Sequence, residues 1–312
     1  MKICMIDMGV FIEKPELLKP AEEIGEVAVY TGVPESEEEV IRRAGDADII
    51  VFALMQFTNE MLDKLPNLKI LQFAGTGVSN FVDVAYAESK GIKVCNIVGY
   101  GSNAVAEFGV AMALTLARNI LPANKVVTSG SWNQDGLMGR EIAGSTVGVA
   151  GTGSIGRLVA EKYIGLGAKV IACDIFESQY LKDKYNIEYK SMEDLFKESD
   201  IVTLHMLVTP ENTRMIDKKY FDSMKDGALL VNVARAELVN TDDLYEALTS
   251  GKLGGAAVDV YDHEPPADMD LKLAALPNVV ATPHIGFYSE QANDNSIIFS
   301  INSFKKALEE LK

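Results

Sequence analysis

Three apolar runs in this chain end in residues that could do chemistry together. "LLVNVARAELV" carries Arg235, "AAVDVYDHEPP" carries Asp259 and Glu264, and "VVATPHIG" carries His284. A cation, a carboxylate and an imidazole suit reduction of a 2-oxo acid. Arginine grips a carboxylate in bidentate fashion and polarises the neighbouring carbonyl. An imidazolium donates the proton that the carbonyl oxygen needs as hydride reaches carbon. A carboxylate beside the imidazole favours its charged form and fixes its orientation. The plainer alternative for His284 is a core histidine satisfied by a backbone carbonyl.

A second constellation lies upstream. "TVGVAGTGSIGRLVAEKY" contains G-x-G-x-x-G at Gly151, Gly153 and Gly156, after an apolar strand and before a helical stretch. In that context one glycine makes the tight turn, one admits a pyrophosphate to the backbone, and one lets helix pack on strand. Ser154 and Ile155 occupy the first helical turn, whose free N–H groups receive phosphate charge. The next strand, "AKVIACD", ends in Asp174, 18 residues after Gly156. An acidic residue there accepts hydrogen bonds from a ribose and repels a 2′-phosphate, and "IFESQY" after it offers no arginine. The expected cofactor is therefore NAD rather than NADP. The alternative is a structural glycine turn with an unrelated aspartate.

The chain has three histidines. His263, in a proline-rich turn, reads as a surface residue, and His205 reads equally as a cofactor contact or as packing at a sheet end. Scattered histidines without Cys or Asp at ligand spacing predict no metal site. Cys4, Cys95 and Cys173 lie far apart in or beside apolar runs, as reduced small hydrophobes do.

Short β-rich runs alternating with helical stretches must position these groups, which predicts α/β architecture with parallel sheets. "KICMID", "EVAVYTG", "ADIIVFAL", "LKILQFAG" and "GIKVCNI" make a first doubly wound domain, with Ser36 and Glu39 placed as a capping box. One long helix is predicted from Tyr100 to about Leu121, because Val105, Phe108, Met112 and Leu116 recur at helical spacing. Six strands follow, from "STVGVAG" to "NVVATPH", as in a Rossmann sheet. The tail from about Tyr288 is predicted helical, returning to the first domain.

At 312 residues, two domains are expected. With 29 basic and 45 acidic residues the net charge is −16, which disfavours nucleic acid and anionic membrane surfaces as partners. "AVAEFGVAMALTLARNILPA" is interrupted by Glu107 and Arg118 and falls short of a membrane span. Asp7 comes too early for a signal-peptide core, so the expected location is cytoplasmic.

The ordered stretches "GTGVSNFVDVAYAESKGIKVCN", "GYGSNAVAEFGVAMAL", "GREIAGSTVGVAGTGSIGR", "LHMLVTPENTRMI", "LLVNVARAELVNTDDL", "AAVDVYDHEPP" and "TPHIGFYS" run nearly end to end. Together they resemble the D-isomer-specific 2-hydroxyacid dehydrogenases. The resemblance implies a Rossmann NAD-binding domain (99–286) inserted into a flavodoxin-like substrate domain (1–98 and 287–312). It implies His284 as acid/base, Glu264 as its partner and Arg235 as substrate clamp. Asp259 would bind the nicotinamide carboxamide. Val233, Ala234 and Arg235, with His205, Thr213, His284 and Gly286, would line the cofactor. Gly75, Thr76, Gly77 and Val78 would offer N–H groups to the substrate carboxylate, beside Arg235 and His284. A homodimer is implied too, formed through the long helix and the loop after it. Trp132 would be buried there or packed within its own chain.

Some positions depart from the family pattern. Ala236 stands where glycine is usual, Leu207 where proline is usual, and Ser79 where aspartate is frequent. Phe73 replaces an arginine frequent in 3-phosphoglycerate dehydrogenases, and no Lys or Arg lies between Leu71 and Asp83. A phosphorylated substrate needs such a cation, so hydroxypyruvate and glyoxylate rank first. The "NIVGYGSNAVAEF" stretch looks most like glycerate dehydrogenase (hydroxypyruvate reductase) members. Phosphoglycerate- or lactate-type activity is the alternative among enzymes. A non-enzymatic NAD(H)-sensing scaffold, similar to the C-terminal-binding-protein corepressors, is the alternative outside them.

Overall fold

The structure is a computed structural model that describes residues 1–311. The chain divides into two compact units, Met1–Gly101 with the segment from Tyr288 onward, and Ser102–Phe287.

The first unit holds β1 (Lys2–Met5), β2 (Glu26–Val29), β3 (Ile49–Phe52), β4 (Ile70–Phe73) and β5 (Lys93–Cys95), all parallel, in the order β2-β1-β3-β4-β5. This is the flavodoxin-like order. β3 and β4 are buried along their whole length, which is why "IIVF" reads as a continuous apolar run and "ILQF" departs from one only at the buried Gln72. The helix Glu37–Ala44 starts where Ser36 Oγ accepts the Glu39 N–H at 3.3 Å. The C-terminal helix Glu290–Glu310 returns to this sheet, burying Ile297, Ile301, Phe304 and Ala307 against Ile3, Met5, Ile49 and Ile70.

The second unit holds β6 (Thr146–Ala150), β7 (Lys169–Cys173), β8 (Glu188–Tyr189), β9 (Ile201–Leu204), β10 (Ala228–Asn232), β11 (Leu253–Val258) and β12 (Val279–Ala281). All are parallel, in the order β12-β11-β10-β9-β6-β7-β8, a Rossmann order extended by one strand. The sheet therefore has seven strands instead of the expected six. β8 has only two residues and leaves no apolar run to read.

The predicted single long helix is also corrected. It ends at Ala117, and a second helix, Ile120–Thr128, follows at a 62° bend. Asn119 adopts φ 51°, a left-handed conformation that asparagine tolerates and that ends a helix. Trp132 is 81% exposed, so packing within its own chain is excluded. Among the described residues no single helix is long and apolar enough to cross a membrane.

Candidate active site

Every expected catalytic or cofactor group of the second unit sits in a segment that follows the carboxyl end of a strand, where open α/β sheets take their ligands. β6 leads to the glycine loop, β7 to Asp174, β9 to His205, β10 to Arg235, β11 to Asp259 and β12 to His284.

His284 and Glu264 meet directly. His284 Nδ1 lies 3.0 and 2.8 Å from the two Glu264 carboxylate oxygens. A carboxylate only accepts, so Nδ1 carries a proton and Nε2 is left for other partners. Burial works to raise the Glu264 carboxyl. The His284 hydrogen bond and charge, the Tyr261 N–H and the Arg235 charge outweigh it and hold the group below the usual carboxylate value.

The backbone explains why a histidine can be presented here. His284 has φ 53°, in the left-handed region that few non-glycine residues enter, and its N–H bonds Thr282 O at 3.1 Å. Such strain persists only where surroundings over-determine it. Asp259 supplies that constraint. Its carboxylate is 2% exposed; Oδ1 accepts from Thr282 Oγ1 (2.6 Å) and Ile285 N (3.0 Å), and Oδ2 from Gly286 N (2.8 Å). A Cβ on Gly286 would lie 3.0 Å from Oδ2, so glycine permits this close approach. The resemblance gave Asp259 a nicotinamide contact. Both oxygens also hold the turn that carries His284, and that pairing spans more than twenty residues of sequence.

Arg235 is exposed, and the hydrogen bond of its guanidinium goes to the neighbouring Ala234 O at 2.8 Å. Among the described residues no carboxylate lies within ion-pair distance of it. Ala236 is buried and opens a one-turn 3-10 helix, Ala236–Leu238, outside the left-handed region. The methyl group that replaces the usual glycine is thus accommodated.

The three loop glycines have different surroundings. Gly151 has φ 90°, and a Cβ there would lie 2.7 Å from the His205 carbonyl. A Cβ on Gly156 would lie 1.8 Å from Gly151 O. A Cβ on Gly153 would meet nothing within 4 Å. Gly153 also starts the helix Ser154–Gly165 with no side-chain cap, leaving first-turn N–H groups for a ligand. Asp174 Oδ2 accepts from Thr152 N and from Thr152 Oγ1 (3.1 Å), while Oδ1 accepts from Phe176 N (3.0 Å). Tyr189 on β8 joins the cluster: its hydroxyl lies 2.9 Å from Thr152 Oγ1 and accepts from Ser178 N at 2.8 Å. Tyr189 escaped sequence reading along with its strand.

The other expected cofactor residues are placed less uniformly. Val233 is buried against Gly109 of the helix Ser102–Ala117. Ala234 and Ile155 are half-buried, and Ser154 is exposed. His205 Nε2 is 2.8 Å from Thr203 Oγ1, and desolvation pushes its ring down to about 3, so it is neutral at physiological pH. Thr213 is exposed and spends its hydroxyl on Thr209 O at 2.8 Å. Among the described residues no group of three or more His, Cys, Asp or Glu is arranged to hold a metal.

In the first unit, Thr76 Oγ1 donates to Ile97 O at 3.1 Å, and Gly77 has φ 88° at the start of the turn Val78–Asn80. Gly75 lies on the Phe73 ring, where a Cβ would come within 2.9 Å. Phe73 is 4% exposed and stacks at 4.5 Å on Phe81 and 5.1 Å on Phe52. The position that would need a cation for a phosphorylated substrate is thus part of an aromatic core.

The family model for the NAD-binding domain of D-isomer-specific 2-hydroxyacid dehydrogenases matches residues 110–286. The chain is 39% identical over 262 residues to an aromatic 2-oxoacid reductase of Clostridium sporogenes, covering 79% of this chain and 78% of that protein. It is 37% identical over 258 residues to hydroxypyruvate reductase of Thermotoga maritima, covering 82% and 83%. A solved D-lactate dehydrogenase of Aquifex aeolicus, complexed with NAD and lactic acid, superposes with TM-score 0.82 at 30% identity, covering 99% of this chain and 96% of that one. The chain belongs to the D-isomer-specific 2-hydroxyacid dehydrogenases, NAD-dependent oxidoreductases acting on the CH–OH group of hydroxy acids.

Proposed function

We propose that this protein reduces a small unphosphorylated 2-oxo acid, with hydroxypyruvate or glyoxylate favoured, to the 2-hydroxy acid, in its D form where the product has a stereocentre. The observation that carries the reading is the Glu264–His284 pair on a turn fixed by Asp259. When bound, NADH supplies the hydride. Arg235, unpaired with any carboxylate among the described residues, clamps the substrate carboxylate. His284, with Nδ1 held by Glu264, gives its Nε2 proton to the carbonyl oxygen. Gly75–Val78 keeps the carboxylate-binding role that the resemblance implies. The ribose-binding role stays with Asp174. The aromatic surroundings of Phe73 support an unphosphorylated substrate. The Thermotoga relative's name supports hydroxypyruvate, and the Clostridium relative's name makes aromatic 2-oxo acids the next class to try.

The test is Arg235→Lys, assayed with hydroxypyruvate. Loss of the bidentate fork is expected to raise KM by about tenfold, roughly one charge-assisted hydrogen bond. An unchanged KM would remove Arg235 from the substrate site. A homodimer in the cytoplasm completes the proposal. Trp132, Met138 and Val127 are exposed apolar residues in or after the helix Ile120–Thr128, as a partner-facing arm would be. A monomeric mass in sedimentation equilibrium would remove the dimer.

A further inference from the structure

Glu264 is loosely held for a residue with its task. Its side chain is 42% exposed, and its carboxylate is placed by two groups, Tyr261 N at 3.3 Å and the His284 ring itself. Its position therefore depends on how firmly the segment Asp262–Glu264 is fixed. Two devices outside the catalytic trio fix that segment. The buried Asp270 carboxylate accepts the N–H groups of Asp262 (3.2 Å) and His263 (3.0 Å). From another side, Arg214 Nη2 lies 2.8 Å from Asp262 Oδ1, and Thr241 Oγ1 donates to Asp262 Oδ2 at 2.7 Å.

Arg214 is unusual in its own right. It has φ 56°, a left-handed conformation that a long side chain gives no reason to adopt. The backbone over-determines it: its N–H bonds Glu237 O at 2.7 Å, and Ile216 N bonds Leu238 O at 3.1 Å. From that backbone the guanidinium also donates through Nη1 to Val239 O (2.6 Å) and Thr241 Oγ1 (3.1 Å). One side chain thus ties three segments together. These are the loop 207–213, the stretch just after Arg235, and the segment that presents Glu264. Isolated surface ion pairs contribute little, but this ion-pair contact comes from a guanidinium already oriented by hydrogen bonds to a carbonyl and to a hydroxyl that itself donates to Asp262.

We infer that Arg214 is a positioning residue that, through Asp262, holds the Glu264 carboxylate on His284. The inference rests on the reductase reading above. Besides the pair itself, the titratable and charged groups around this segment are Arg235, Asp259, Tyr261, Asp262, His263 and Asp270. Substituting Arg214 changes the identity of none of them.

The experiment uses Arg214→Gly, because glycine is the residue best suited to φ 56° and so relieves strain as it removes the fork. The full-length protein is assayed for hydroxypyruvate reduction across pH, with melting temperature and NADH binding measured alongside. Arg214→Gly is expected to keep its melting temperature and NADH affinity while kcat falls about tenfold, as a misplaced catalytic group would cause. The alkaline limb of its kcat profile is expected to move to lower pH, since a displaced carboxylate no longer favours the protonated ring. Asp262→Asn should repeat the shift, and the double variant should add little to either. Lys219→Ala, which breaks an exposed pair with Glu193, should move nothing. A normal kcat and pH profile in Arg214→Gly or in Asp262→Asn, with the wild type active, would overturn the inference alone. A wild type that turns over no 2-oxo acid would overturn both it and the reading beneath it.

Discussion

His284→Asn is expected to lower kcat for 2-oxo acid reduction by about a thousandfold, with NADH binding retained. General acid catalysis contributes roughly 10²- to 10⁴-fold, and a thousandfold corresponds to about 4 kcal/mol of barrier. Asparagine is the better substitution because it tolerates the left-handed backbone at φ 53°. His284→Ala run beside it separates loss of the proton donor from backbone effects, and both should be equally slow. Glu264→Gln belongs to the same expectation. The Glu264 carboxyl is held below its ordinary value despite burial, chiefly by the His284 hydrogen bond and charge. With a folded value below the unfolded one near 4.3, the carboxylate is ionised throughout the neutral range. Its contribution to stability is lost only as pH falls through the folded value. Glu264→Gln should therefore move the alkaline limb of reduction to lower pH, because the neutral amide no longer favours the imidazolium. A His284→Asn protein that keeps a tenth or more of wild-type kcat would exclude the proton-donor role.

The second large effect separates two glycines three residues apart. Gly156→Ala places a methyl carbon 1.8 Å from Gly151 O, a backbone atom that cannot step aside without dismantling the turn. The expected cost is at least about 3 kcal/mol, the upper range for overpacking, which is a large part of an ordinary stability of about 5–15 kcal/mol. Gly153→Ala meets nothing within 4 Å at φ −66°. The fold should accept it, with a melting temperature unchanged or slightly raised. If the glycine is there so that a pyrophosphate can approach the backbone, Gly153→Ala should weaken NADH binding by tenfold or more in a protein that is otherwise native. Thermal melts and NADH fluorescence titrations on the two variants check this. Equal NADH affinity in wild type and Gly153→Ala would contradict the cofactor role of the loop.

The sequence was legible where a structural feature leaves its mark within one segment. β3 reads as an apolar run because both of its faces are covered, and β4 breaks that pattern only at the buried Gln72. The glycine loop was legible because the turn, the approach to phosphate and the helix packing all fall within six residues. The break at Asn119 was hidden, because a left-handed asparagine sits within an otherwise helical apolar pattern. β8 was hidden by its length, and Tyr189 with it. What Asp259 and Arg214 do was out of reach for a different reason. Their partners lie more than twenty residues away, at Ile285 and Gly286 for one and at Val239, Thr241 and Asp262 for the other. Only the folded chain brings such pairs together. The acid/base role of His284 was suggested by residue chemistry and by resemblance; the left-handed turn that presents its ring was not.

The most direct measurement of the central claim is the rate of NADH oxidation by the purified wild-type protein with hydroxypyruvate, glyoxylate, pyruvate, phenylpyruvate and 3-phosphohydroxypyruvate in parallel. Rapid turnover of hydroxypyruvate or glyoxylate, with the phosphorylated acid at least about tenfold poorer in kcat/KM for want of a charge-assisted contact, is the predicted result. Preference for the phosphorylated acid, or NADH binding without turnover of any 2-oxo acid, would contradict it.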